Sequence, residues 1–105
     1  MVMELHTYTL RDFEALRRYT EDFWPRHIRT LHDYGITVHG VWIDDDADKP
    51  RVIALVGYPP NSDPTELAKR YCASVDFVED HEDFDDSLIT ARQTTRLTSI
   101  ANTPL

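Results

Sequence analysis

From Arg51 to Tyr58 the chain reads Arg-Val-Ile-Ala-Leu-Val-Gly-Tyr, with five consecutive apolar residues from Val52 to Val56 and no alternation. Successive side chains of a strand point to opposite faces, so an unbroken apolar run predicts a strand buried on both. A chain of 105 residues is one domain's worth and has helical sequence enough to cover only one face of a sheet. The other face needs a cover from outside. A second copy related by two-fold symmetry supplies one, so the sequence predicts a homodimer that packs sheet against sheet.

The rest of the chain supplies the other elements. Met3 to Leu10 is rich in β-branched and aromatic residues and reads as a strand with Glu4, His6 and Tyr8 on one face. From Asp12 to Tyr34, bulky residues recur at three- and four-residue steps (Phe13, Leu16, Tyr19, Phe23, Trp24, His27, Leu31), one face of a long helix. Asp12 caps it, Gly35 ends it, and Pro25 predicts a kink near Phe23 and Trp24. Ile36 to Ile43 and Arg51 to Tyr58 form a hairpin across an acidic turn. Asp63, Pro64 and Glu66 start a helix running to about Ala73, and Ser74 starts a second reaching about Asp85. Leu88 to Ile100 is a Thr-rich last strand, and Ala101 to Leu105 a tail. The order βαββαβ over residues 1–105 is a single ferredoxin-like α+β domain. It has a four-stranded antiparallel sheet with its helices on one face, and two subunits close into a dimeric α/β barrel.

Charge and motifs narrow the function. Nineteen acidic against eleven basic residues give a formal charge of −8, which repels nucleic-acid phosphates and anionic lipid. No apolar run approaches the length of a membrane span, and the single cysteine, Cys72, cannot form an internal disulfide. With no signal peptide in the opening residues, the expected location is the cytoplasm. Cys72 is expected to pack as a small hydrophobe. Phosphate-binding glycine loops and G-x-S-x-G are absent from the sequence, removing nucleotide enzymes and serine hydrolases.

Five histidines invite a metal, but His27 and His32 are five apart on the first helix and point about 140° apart. No metal and no cofactor are expected. His27 instead suits general acid–base work. It sits on the core-facing stripe just past the proline kink, where burial moves an imidazole's pKa across neutrality. A core histidine bonded to backbone is the competing reading. Asp80 lies near the apolar stripe of its helix, within reach of a neighbouring Tyr or His, whereas the rest of the acidic run from Asp76 to Asp86 reads as a solvated face. Tyr8, His39 and Trp42 are strand residues that can line a pocket. By parity His39 and Trp42 share one sheet face only if a bulge separates them.

The segments E-L-H-T-Y-T-L (Glu4 to Leu10), H-I-x-x-L-x-x-x-G-I-x-x-H-G-V-W (His27 to Trp42), R-V-I-A-L-V-x-Y and D-P-x-E-x-x-x-x-Y-x-x-S-x-x-F-x-x-D-x-x-x-F-D (Asp63 to Asp85), with a terminal N-T-P-L, occur in an order and spacing that resembles the NIPSNAP family. His6 stands where that family often has Arg, Asp12 and Phe13 replace a common Pro-Gly, and His81 stands where Met is common. The resemblance spans the chain and implies a dimeric α/β barrel. The wider barrel group includes cofactor-free oxygenases, isomerases, cyclases and dehydratases. By that resemblance a pocket here is roofed by Trp24, His27, Tyr71 and Asp80 and floored by the sheet. The expected function is acid–base proton transfer (isomerisation, cyclisation or dehydration) on an apolar or aromatic metabolite. His27 is the acid or base, Asp80 or Tyr8 orients it, and Trp24, His39, Trp42 and Tyr71 bind substrate. The alternatives are a non-catalytic dimeric ligand-binding or assembly protein and a cofactor-free oxygenase.

Overall fold

Asp12 and Gly35 bracket the first helical stretch as expected, but the stretch is not one continuous helix. In the computed structural model, which describes residues 2–104, strand β1 (Val2–Leu10) leads into α1 (Phe13–Arg18), whose start is capped by the Asp12 carboxylate accepting from the Ala15 amide at 2.8 Å. A π-helical turn over Tyr19–Phe23 follows, and then α2 (Trp24–Asp33). Pro25 is the cause. It has no amide hydrogen and its ring clashes with the carbonyl four residues back, so the ladder widens ahead of it, with the Trp24 amide bonding the Tyr19 carbonyl. The extra residue in that turn brings Tyr19, Phe23, Trp24 and His27 together on the buried side.

The remaining elements are β2 (Thr37–Ile43), β3 (Arg51–Tyr58), α3 (Pro64–Cys72), α4 (Val75–Asp80), a 3₁₀ turn at Asp86–Leu88 and β4 (Ile89–Leu97). Asp63 caps α3 and Ser74 caps α4. Helix α4 ends at Asp80 rather than near Asp85, because the His81 imidazole bonds the Phe77 carbonyl at 2.7 Å and the chain turns away. Of the tail, Leu105 lies outside the described residues.

The four strands form an antiparallel sheet in the order β2-β3-β1-β4, a ferredoxin-like arrangement. Along β1 and β3 the register pairs Glu4 with Val56, His6 with Ala54 and Tyr8 with Val52, and these six side chains face the helices. Leu5, Thr7, Ile53 and Leu55 face the other way and are half-buried. The expected two-subunit barrel is corrected by this geometry. The sheet is open, with β2 and β4 as unjoined edges among the described residues, in a single chain. The apolar run of β3 does not require two sealed faces. Val52, Ala54 and Val56 carry the core, while Leu55 shares only a shallow depression with Met3, Leu97 and Ile100.

Gly35 turns α2 into β2 at φ 77°, with Pro59 so close that an added Cβ would lie 3.3 Å from its ring. Gly35→Ala is therefore expected to destabilise the protein by about 1–2 kcal/mol, a drop in melting temperature of several degrees. Calorimetry of the variant checks this, and an unchanged melting temperature overturns it.

Candidate active site

Between the helices and the sheet lies a cavity of about 420 Å³, in the range of small-molecule sites. Its roof comes from the π turn and the start of α2 (Tyr19, Phe23, Trp24, His27) and from Tyr71 of α3. Its floor comes from His6 and Tyr8 of β1 and from Val56 and Tyr58 of β3. Its rim on the β4 side is made by Arg92 and Thr94. β4 is exposed along nearly its whole length, so this side is the more open one.

His27 sits at the centre of the roof. Its ring packs against Phe23, Trp24 and Tyr71 with centroids 4.6, 5.0 and 5.1 Å away. Its Nδ1 lies 3.1 Å from Asp80 Oδ2 and 3.0 Å from the Tyr71 hydroxyl oxygen. The Tyr71 hydroxyl donates to the same Asp80 oxygen at 2.7 Å, and Thr30 donates to the other at 2.9 Å. Arg26 Nε stands 3.5 Å from Asp80 Oδ1, and its guanidinium also bonds Glu79. Three elements thus converge on one buried carboxylate: α2 through His27, Thr30 and Arg26, α3 through Tyr71, and α4 through Asp80 itself.

The proton positions follow from this donor set. Burial raises a carboxyl's pKa, but the hydrogen bonds from His27, Tyr71 and Thr30 together outweigh it and hold Asp80 below the usual carboxylate range. Burial pulls His27 below the ordinary imidazole value of 6.5, with Asp80 pulling the other way and falling short. At neutral pH the pair is a carboxylate and a neutral imidazole. Because the Tyr71 proton points at Asp80, the only group on Nδ1 that both oxygens accept is an N–H. That tautomer leaves Nε2 as the ring's lone-pair nitrogen. Burial pushes the Tyr71 hydroxyl far up, with its bond to Asp80 adding to the effect, and pushes Tyr8 up to about 12. Both phenols stay protonated.

Of the residues singled out from sequence, His27, Asp80, Tyr71 and Trp24 come together, with Asp80 lying behind His27 rather than in the cavity wall. Tyr8 lines the floor, tilted against Trp24 at 6.1 Å. His39 and Trp42 lie elsewhere. The register slips between Val38 and Gly40, leaving His39 in an exposed bulge, and Trp42 pairs with Ile53 on the outer face, 53% exposed. Its ring lies over Gly40, where a Cβ would collide with it. Cys72 is exposed at the cavity rim rather than packed as a small hydrophobe.

The sequence reading passed over Thr30 and the pair Glu4–His6. Thr30 lies three residues after His27, on the same helix face, and the alternation of β1 places Glu4 and His6 beside Tyr8. Both were visible as periodicity, but nothing in the periodicity gives a partner. No group of three metal-ligating side chains occurs among the described residues, and no helix there is long and apolar enough to cross a membrane.

No family model and no curated protein matches the chain. Solved structures do. A NIPSNAP-like domain protein from Burkholderia xenovorans superposes with a TM-score of 0.81 at 20% identity, over 99% of this chain and 89% of that one. A protein from Agrobacterium tumefaciens gives 0.77 at 18% identity, over 100% and 99%, and a NIPSNAP family protein from the same organism gives 0.74 at 19%, over 99% and 97%. This is a NIPSNAP-like fold. At such identities the likeness is one of architecture, and in this NIPSNAP-like chain the argument for chemistry rests on its own side chains.

Those side chains set a pH dependence. His27 and His6 are both held below 6.5 by burial, so on unfolding below pH 6.5 they take up protons that the folded chain resists. Their contribution is complete above pH 6.5 and is lost as pH falls through the window down to their lowered folded values. Asp80 adds a further loss as pH falls from its ordinary value of 3.8 through its lowered folded value. The urea midpoint is expected to fall as pH drops from 7.5 to 5, with a shallower fall in His27→Gln. A flat wild-type profile overturns the assignment of neutral buried imidazoles.

Proposed function

We propose that this chain is a NIPSNAP-family enzyme that performs acid–base proton transfer on a small apolar or aromatic molecule, with His27 Nε2 as the base that becomes the acid. The observation that carries the reading is the hold on His27 Nδ1 by Asp80 and Tyr71 in the wall of a formed cavity. A purely structural core histidine is satisfied by backbone groups. Here a charged carboxylate with its own three donors fixes the ring's orientation and tautomer and stabilises the imidazolium that forms after proton uptake. Aromatic rings line much of the cavity, which suits a flat apolar ligand. The half-exposed apolar side chains of the outer sheet face support self-association as a further part of this reading.

The test begins with a metabolite panel read by thermal shift, since a ligand at 100 times its Kd raises stability by about 2.7 kcal/mol. Turnover of each stabilising compound is then followed with wild type and His27→Gln. The expected outcome is a loss of 10²-fold or more in turnover for the variant, with binding retained. Turnover unchanged per folded molecule, or no stabilising compound in the panel, overturns the reading.

A further inference from the structure

Roof and floor of the cavity each turn a nitrogen lone pair toward a ligand. On the roof, His27 is nine-tenths buried, at 9% exposure, and its Nδ1–H is committed to Asp80 and the Tyr71 hydroxyl oxygen, 3.1 and 3.0 Å away. Its Nε2 has no hydrogen-bond partner among the described residues, yet packing does not seal it as it seals the Trp24 indole nitrogen. The Nε2 lone pair therefore opens on the cavity that the ring lines.

On the floor, His6 Nε2 lies 3.2 Å from one oxygen of Glu4, a buried residue whose other oxygen is 3.1 Å from the Arg96 guanidinium. A lone pair turned toward a carboxylate at that distance is repelled, so Nε2 carries the proton and Nδ1 the lone pair. The Thr94 hydroxyl at the rim reaches Nδ1 only at 3.4 Å. Burial keeps both imidazoles below 6.5 and hence neutral at neutral pH. Each nitrogen turned to the cavity can then accept a hydrogen bond but cannot donate one.

The other polar groups of the wall are spent or indifferent. The Tyr71 proton is given to Asp80, and Asp86 and Arg92 are bonded to each other. The Tyr8 hydroxyl both donates and accepts, so it selects for neither kind of ligand. The imidazoles do select. A carbonyl or ether oxygen placed on Nε2 sets lone pair against lone pair and leaves two buried acceptors unpaired, whereas an O–H satisfies both.

We propose that the cavity binds a flat, uncharged aryl alcohol, its hydroxyl donating to His27 Nε2 and its rings lying among Tyr8, Tyr19, Phe23 and Trp24. This rests on the reading of His27 as a neutral imidazole with a bare Nε2, and it names the substrate class of that site. His6 Nδ1 gives the opposite wall the same accepting polarity, and the volume of about 420 Å³ admits a fused two-ring compound.

The probes are 2-naphthol, 2-methoxynaphthalene and 2-naphthoate, titrated into the protein by calorimetry at neutral pH. Wild type is expected to bind 2-naphthol about 10-fold or more tightly than its methyl ether, which keeps the rings and the oxygen but lacks the proton, and to bind the anionic 2-naphthoate more weakly than 2-naphthol. In His27→Gln the amide can turn an acceptor or a donor to the cavity, and the preference for 2-naphthol over the ether is expected to fall to about 2-fold or less. That variant alters a buried network, so its folding is checked by circular dichroism and a second measurement uses wild type alone. The nitrogen NMR signal of His27 Nε2 is expected to be that of a nitrogen without a proton, and to move on addition of 2-naphthol but not of the ether. If Nε2 lacks a proton but 2-naphthol shows no preference or leaves its signal in place, the aryl-alcohol assignment is overturned and the reading of His27 stands. If Nε2 carries the proton, both fall. A preference retained in folded His27→Gln overturns the assignment, since the hydroxyl then donates elsewhere, and 2-naphthoate binding as tightly as 2-naphthol overturns the uncharged class.

Discussion

A carboxylate with 1% of its side chain exposed must be met by donors, and Asp80 is met by three hydrogen bonds and a nearby guanidinium from two other helices. Much of the helical layer answers to that demand. Helix α4 is only six residues long and leaves Val75 and Val78 exposed, so its apolar contact with the rest is small and Asp80 is its anchor. Helix α3 brings Tyr71 to the same point, and α2 turns His27 and Thr30 toward it. The geometry of the site and the attachment of α4 are therefore one interaction, and a change at Asp80 acts on both.

The π turn is the backbone counterpart. In an unbroken helix, residues from Phe13 to Tyr34 would have kept a single apolar stripe. The wider turn before Pro25 lets Tyr19, Phe23 and Trp24 pack together, with Tyr19 and Phe23 stacked at 5.1 Å and Trp24 edge-on to Tyr19 at 5.9 Å. Phe13, counted in that stripe from the sequence, is instead 65% exposed. The proline thus gathers an aromatic roof over the cavity, where a regular helix would spread the same rings along its length.

What was legible in the sequence followed from local rules. The Asp12, Asp63 and Ser74 caps, the Gly35 stop and the β1 alternation all act over a few residues and appear where the pattern places them. The Asp80–His27 contact was within reach of the argument because each residue sits on the inner side of its own helix. The errors share a cause as well. Strand parity holds only until a bulge, and the bulge at His39 sent Trp42 to the outer face. An apolar run reports burial potential, not what supplies the burial: Ile53 and Leu55 stand half-exposed on the outer face of an open sheet, so the run by itself does not close a barrel. Cys72 shows the same limit, since composition favours burial and a position at a helix end overrides it.

The charge of the chain and the charge of its cavity differ, and that difference bears on the ligand. The formal −8 is spread over the acidic turn after β2 and the segment from Asp76 to Asp86, yet the cavity wall holds one carboxylate and one guanidinium, Asp86 and Arg92, bonded to each other at 2.7 Å at the rim. Deeper in, the wall presents neutral imidazoles, protonated phenols and aromatic faces. An anion approaching this molecule meets repulsion outside and no free cation at the rim, where Arg92 is already engaged. An uncharged molecule meets neither penalty, and its apolar surface is transferred from water to rings of matching shape. Under the proposed reading, the acidic exterior and the uncharged lining behind it would disfavour the same class of ligand, an anion.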